Sequence, residues 1–266
     1  MKIMADWIQH LHNHRKRELG LIFSKCPERL FQEALELGAG DGFQSGLLTR
    51  YASKIISTDL NPDILKGQNG DSIEYRICNA EEIDKIFDRG AFDLVFSSNL
   101  LEHLPDPGRA LNAIYNVLKD NGITIHVMPN PFWKFCTMLL RMPYICINAI
   151  EKMTQKEPNK EGIKNRIKAR DKRKLIYDIL MPKPHGASSS NIKEFYLFSK
   201  ARWKKQFKKA NLHLVKVIKG PVASGYGFGL ERLRNILERL GFSSEYIYIA
   251  IKEGQNSYYR QYFEKI

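Results

Sequence analysis

Cysteine is scarce in this chain. Cys26, Cys78, Cys136 and Cys146 form no CxxC pair and show no zinc-type spacing with histidine. That excludes a thiol-built metal centre and a disulfide framework, and the expectation is free thiols in a reducing cytoplasm. Long hydrophobic runs are also missing, so no stretch has the length of uncharged apolar sequence that a membrane span requires. The first residues, MKIMADWIQHLHNHRKREL, lack the uninterrupted apolar core of a signal peptide. There is no internal repeat. Acidic residues are outnumbered, with 29 Asp and Glu against 42 Lys and Arg, for a formal net charge of +13. Such an excess points to an anionic partner, whether nucleic acid, phospholipid or a phosphorylated substrate, and does not choose among them.

The 266 residues are 43% hydrophobic, enough for one large core. Short apolar runs alternate with helical patterns, which is how βαβ units and a parallel sheet are written. The strand candidates are Glu33–Leu37, Lys54–Thr58, Ile73–Ile77, Phe92–Phe96 and Ile123–Val127, then Leu212–Ile218 and Tyr246–Ile251. Between the fourth and fifth lies a helix with Pro107 near its start, Ala110, Leu111, Ile114 and Leu118 on one face, and Asn121-Gly122 as its stop. After Pro131 the rhythm breaks. An apolar stretch from Phe132 to Ile150 carries Lys134 and Arg141, and a basic tract follows with Lys164, Arg166, Lys168, Arg170, Lys172, Arg173 and Lys174. We expect a basic helical segment (1–28), a core (29–130), an insertion (131–190) and a return to the same domain (191–266). The insertion is either a lid over the core or an amphipathic segment on an anionic membrane.

The strongest local signal is ALELGAGDG, residues 34–42. A strand runs into Gly38-Ala39-Gly40-Asp41-Gly42, where the backbone must turn sharply and approach a ligand closely. A dinucleotide fingerprint would need Gly or Ala at position 43, which is Phe43. GxGxG preceded by Glu36 instead resembles the class I S-adenosylmethionine-dependent methyltransferases. The resemblance implies that the glycine turn meets the methionine and ribose of the cofactor, and that Glu36 helps hold its amino-acid end. Asp59, 17 residues beyond Gly42 at the end of the second strand, fits a carboxylate that accepts from both ribose hydroxyls, with Leu60 beside it. Asn79-Ala80 stands where the family commonly has Asp-Ala at the adenine amine; an amide oxygen still accepts that bond, more weakly.

FDLVFSSNLLEHLPDP, residues 92–107, closely resembles the fourth-strand segment of the type 11 group, and LKDNGITIHVMPNP, residues 118–131, resembles its helix end and fifth strand. By that likeness Ser97, Ser98 and Asn99 border the cofactor. The likeness is continuous from about Ala34 to Pro131. It implies a Rossmann-like α/β fold with a seven-stranded, mostly parallel sheet, helices on both faces and a helical insertion after the fifth strand.

His103 and His185 are the candidate general bases for a hydroxyl acceptor; a packing or plain loop role stands beside each. His10, His12 and His14 read as an exposed polar helix face, and no metal site is expected. The extra piece between the last two strands, Gly220–Phe242, is expected to wall the substrate pocket. Trp203 and Phe207 point inward from a helix whose lysines face out. The implied activity is methylation of a hydroxyl or amine on a small molecule or saccharide, lipid- or nucleotide-linked in some form, in the cytoplasm or at the inner face of a membrane. Two alternatives remain: RNA methylation, for which no RNA-binding signature accompanies the charge, and a non-enzymatic membrane-docked partner protein.

Overall fold

A computed structural model describes residues 7–62, 72–154, 181–185, 190–226, 228 and 230–264. Most of the basic insertion tract, including Lys164 to Lys174, lies outside them. Seven strands form one sheet: β1 (Phe31–Leu37), β2 (Ala52–Asp59), β3 (Ile73–Ile77), β4 (Phe92–Ser98), β5 (Leu118–Pro129), β6 (Leu212–Lys219) and β7 (Glu245–Lys252). Their order is β3-β2-β1-β4-β5-β7-β6. The first five run parallel, and β7 runs antiparallel to both β5 and β6. The chain reverses its direction of build between β1 and β4, so a crevice opens at their carboxyl ends.

Alternate residues of each strand serve opposite faces. On one face Leu35, Leu37 and Val95 meet helix α3 (Pro107–Val117); on the other Ala34, Leu94 and Phe96 meet α1 (Trp7–Ile22) through Leu19 and Ile22. The remaining helices among the described residues are α2 (Phe43–Leu48), α4 (Pro131–Leu139), α5 (Arg141–Thr154), α6 (Asn191–Leu197), α7 (Lys200–Lys209) and α8 (Glu231–Arg239). Both α3 and α4 begin with an Asx cap followed by proline. Asp106 accepts from the Arg109 amide at 3.0 Å, and Asn130 from the Trp133 amide at 3.1 Å. Proline fits there because its missing N–H would have had no partner. Trp203 and Phe207 of α7 are fully buried and its lysines exposed, as expected. Each such aromatic contributes about 2–3 kcal/mol by leaving water.

Two expectations are corrected. The fourth-to-fifth strand helix ends at Val117, and Leu118 already pairs with Phe92 as the first residue of β5. Asn121-Gly122 marks a register shift inside β5. A Cβ on Gly122 would come within 2.8 Å of the Leu118 side chain, so the glycine lets the strand fold back over that leucine. The histidines of α1 are not an exposed face either. His10, His14, Glu18 and Ile22 recur every fourth residue and form the buried stripe, because here the helix lies over charged groups as well as over the core.

Candidate functional site

The glycine turn hangs from β2. The amides of Gly38 and Ala39 both donate to the Thr58 carbonyl, at 2.8 and 2.9 Å. Gly38 and Gly40 have φ of 73° and 55°, a region costly for residues with a Cβ. A Cβ on Gly38 would press on Leu100 at 3.0 Å, whereas one on Gly40 would meet nothing within 4 Å and would project into the open cradle. Asp59, half-buried at the end of β2, accepts from the Gly40 amide at 3.0 Å and the Asn61 amide at 2.9 Å. Each carboxylate oxygen keeps a further lone pair. Leu60 beside it is 61% exposed, and Asn79 at the end of β3 accepts from the Glu81 amide at 3.0 Å, with Ala80 buried behind it.

Glu36 is buried at the end of β1 and accepts from the Ser45 and Ser57 hydroxyls at 2.5 and 3.0 Å. Burial outweighs those bonds and pushes its carboxyl up to about 7.

At the end of β4 the three polar residues part company. Ser97 turns into the sheet's core. The Thr124 hydroxyl donates to the Val95 carbonyl, so it accepts from His126 Nε2, leaving Nδ1 to accept from the Ser97 hydroxyl at 2.7 Å. His126 is thereby a neutral, fully buried spacer, lowered to about 3 by burial. Ser98 and Asn99 face the crevice and meet α1. Ser98 accepts from Arg15 at 2.7 Å and donates to Glu18 at 3.0 Å. Asn99, with φ of 50° and its amide oxygen toward the guanidinium, accepts from both Arg15 nitrogens at 2.6 and 2.8 Å.

Helix α1 therefore closes over the turn. His12 stacks on Phe43 with centroids 3.7 Å apart and meets Asp41 at 2.6 Å. Beneath it His14 bonds Glu18 and Glu245, each at 3.1 Å. Burial works against a charged His14, but the Glu245 and Glu18 carboxylates outweigh it and raise the imidazole to about 10. Burial likewise opposes ionisation of Glu18, which Arg15 and His14 overcome, drawing it down to about 2.

Next to this network lies a cavity of about 430 Å³. Its walls come from α1 (His10, Leu11, His14, Arg15), the β4 end (Asn99, His103) and α4 (Trp133, Lys134, Thr137), with His185 and Ala223–Tyr226 completing them. Part of the β6–β7 connection thus lines this cavity. Gly225 admits the close approach, since a Cβ there would lie 3.2 Å from both Trp133 and Thr137. His103 and His185, far apart in sequence, meet edge-to-face with centroids 4.4 Å apart, and Trp133 lies 4.6 Å from His185. Burial lowers both imidazoles, His185 to about 4, aided by neighbouring His103 and Lys134. Beneath them the Glu102 carboxyl is fully buried and raised by that burial to about 8.

Helix α4 is inverted. Its buried residues are Lys134 and Thr137, while Phe135 and Leu139 are exposed. Lys134 pairs with Glu194 of α6 at 2.5 Å. A lid held by its apolar side would show the reverse. Helix α8 also presents Leu233 and Ile236 outward, and Phe132 stacks on Phe242 at 5.0 Å, linking the two apolar surfaces.

Arg15, Glu18, Tyr226 and Glu245 were not among the residues the sequence singled out, and Trp133 and Lys134 were marked only as part of the stretch after Pro131. For Arg15 and Glu18 a signal existed: the four-residue recurrence from His10 to Ile22 makes one helix face, with a cation and an acid inside it. The other four depend on how remote segments meet.

A mostly parallel sheet with a glycine cradle at its switch point and a carboxylate at the next strand end is the arrangement of a Rossmann-like methyltransferase fold. The comparisons agree. A family model described as methyltransferase domain matches residues 35–126. The ubiquinone biosynthesis O-methyltransferase of Xanthomonas axonopodis pv. citri is 30% identical over 94 residues, 33% of this chain and 39% of that protein. The Xanthomonas campestris pv. campestris protein of the same name is 31% identical over equal spans. The chain thus spans about two-fifths of the length of these relatives. Among solved structures, geranyl diphosphate C-methyltransferase from Streptomyces coelicolor A3(2) superposes with TM-score 0.53 at 14% identity, covering 92% of this chain and 81% of that one. An S-adenosylmethionine dependent methyltransferase from Mesorhizobium loti gives 0.52 at 14%, covering 88% and 97%. At these identities the likeness is one of fold.

Proposed function

We propose that this chain transfers a methyl group from S-adenosylmethionine to a hydroxyl of a small, partly apolar acceptor, with lipid-linked acceptors favoured over saccharide- or nucleotide-linked ones. The observation that carries this reading is the cavity, which reaches the β4 end at Asn99 and His103, beside the glycine cradle, and is walled by aromatic rings. The hydroxyl assignment is supported by the matched relatives, which are named O-methyltransferases. When bound, the cofactor supplies an electrophilic methyl on a positive sulfur. The residues present fit it: the open side of Gly40 admits it, Asp59 would hold the ribose, Leu60 and Asn79 the adenine, and Glu36 the ammonium group. Ser98 and Asn99 border the same crevice. The chain's contribution is then orientation of two reactants. In the ion-free chain His103 and His185, both neutral, are the candidate acceptors of a proton from a hydroxyl in the cavity.

The division of labour in the chain follows. Residues 29–130 hold the cofactor, while 1–28, 131–190 and the β6–β7 connection within 191–266 shape the acceptor side. The outward apolar residues of α4 and α8, with the positive charge, favour a peripheral contact with the inner face of an anionic membrane; no helix among the described residues is long and apolar enough to cross one. The test is methyl transfer from labelled S-adenosylmethionine to hydroxyl-bearing lipids in anionic vesicles, compared with water-soluble hydroxyl acceptors and with RNA. We expect transfer to the lipid set, and expect Phe135→Asp with Leu139→Asp to abolish vesicle pelleting while leaving S-adenosylhomocysteine binding intact. Transfer to RNA alone would overturn the reading.

Glu36 adds a pH dependence. Only its ionised form attracts an ammonium group, and its carboxyl is raised to about 7. S-adenosylhomocysteine binding is therefore expected to tighten roughly tenfold from about pH 6 to about pH 8. Calorimetry across that range checks it, and Glu36→Gln is expected to flatten the profile.

A further inference from the structure

Among the described residues two clusters gather metal-capable side chains, and they differ in one respect. In the first, His14 bridges Glu18 and Glu245, leaving its own Nδ1 and Glu245 Oε1 without a partner, but the Arg15 guanidinium sits on Glu18 at 2.5 Å. A cation there would displace a cation. Glu102, His103 and His185 are different. Their ligand atoms lie within 4.8 Å of one another, and His103 Nε2 stands 3.8 Å from Glu102 Oε1. Both Glu102 carboxyl oxygens are buried and have no hydrogen-bond partner. A buried carboxyl left without a partner is costly, and native proteins rarely keep one unless something else satisfies it. The nearby Lys134 does not serve, since its ammonium is committed to Glu194 and Asn191.

We propose that Glu102, His103 and His185 form a site for one divalent transition ion of the zinc type, opening on the cavity where an oxygen-bearing acceptor completes the coordination. Two imidazoles and one carboxylate suit Zn²⁺, Co²⁺ or Mn²⁺; Mg²⁺ and Ca²⁺ favour all-oxygen sets. Three protein ligands are also what a site needs if it is to leave a position for another molecule. Bonds of about 2.0–2.2 Å around one ion bring ligand atoms to roughly 3.4 Å apart. The 3.8 Å pair needs only a slight closure, and all three ligand atoms already lie within 4.8 Å of one another. The geometry assigns the roles as well. Glu102 lies beneath, while His103 and His185 both line the cavity, so the open positions face the space where the acceptor is proposed to sit. The acceptor part of this assignment rests on the reading given under Proposed function; the ion site itself does not.

The sequence carries no spacing that announces such a site. Glu102 and His103 are adjacent, and adjacent residues seldom share an ion unless a short 3₁₀ turn, here Leu101–His103, brings both donors to one side. The third ligand arrives from the return of the insertion.

The test uses the whole chain, stripped with a chelator and titrated with CoCl₂ by visible absorption and with ZnCl₂ by calorimetry, in parallel with S-adenosylhomocysteine. One ion per chain with the d–d bands of nitrogen and oxygen ligation is expected, with MgCl₂ far weaker. His185→Ala and Glu102→Gln are expected to weaken uptake at least about 100-fold, since substitutions merely behind a ligand already cost 10–100-fold. His213→Ala, at an exposed histidine beside Glu253, is expected to change nothing. Should Glu102→Gln fail to fold, His185→Ala decides alone. No stoichiometric uptake, or equal uptake in the His185 variant, overturns the site. Ion uptake without heat on S-adenosylhomocysteine leaves the site standing and overturns the methyl-donor reading instead.

Discussion

Replacing Asp59 by alanine is expected to weaken S-adenosylhomocysteine binding by roughly 100-fold or more, with little change in thermal stability. The carboxylate stands at the end of β2 with one lone pair on each oxygen already engaged by the Gly40 and Asn61 amides. Two lone pairs remain for two ribose hydroxyls, and a hydrogen bond to a charged group is worth about 1.5–3 kcal/mol. Loss of about 3 kcal/mol corresponds to roughly 100-fold. The variant also frees the Gly40 amide, which loosens the cradle itself. Asp59→Asn keeps one good acceptor and is expected to fall between. Calorimetric affinities for the three proteins check the order, and an unchanged affinity in Asp59→Ala would remove the carboxylate from the cofactor site.

The second large effect concerns α1. Glu18→Gln is expected to destabilise the chain by about 3 kcal/mol in urea unfolding, because removing one member of a buried ionic set leaves the others uncompensated. Glu18 is fully buried and its carboxylate meets Arg15, His14 and the Ser98 hydroxyl. The pH dependence has two limbs. The Glu18 carboxyl is drawn down from 4.5 to about 2, so its contribution is present above pH 4.5 and is lost as pH falls through 2. His14 is raised from 6.5 to about 10, so its contribution is complete below pH 6.5 and is lost as pH rises through 10. Through Glu18 and His14 the seal of α1 is therefore strongest from about pH 4.5 to 6.5, while Glu245, raised by burial to about 7, weakens it as pH rises from 4.5 through 7. Glu18→Gln is expected to flatten the acid limb; a loss under about 1 kcal/mol, with both limbs intact, would show that α1 is held by its apolar residues alone.

The sheet and the turn were legible because both are written locally. Strand alternation, Pro107 near the start of a helix, and the GAGDG run each need only a few neighbouring residues. Placing Asp59 and Glu36 at strand ends needed no more than the length of a strand. What escaped was set by contacts between distant segments. Ser97 carries the same hydroxyl as Ser98, yet alternation sends it to His126 in the core. The histidines of α1 look like a solvated face until Glu245, far along the chain, is placed against them. The polarity of α4 misleads for the same reason: a helix rich in Phe and Leu reads as one that buries them, whereas its Lys134 has a buried anion waiting on α6.

Of the cavity's lining, the sheet supplies only Pro129 and Glu245, and the β4 and β7 margins add Asn99, His103 and Ser244; the rest is contributed by α1, by α4 with the segment that follows it, and by the loop leaving β6. On the proposed function, donor grip and acceptor choice would reside in separable parts of one chain. Transplanting those three peripheral stretches onto another core of this class should carry acceptor preference with them and leave nucleoside affinity behind, so that selectivity can drift by changes in the periphery alone while the scaffold beneath stays fixed.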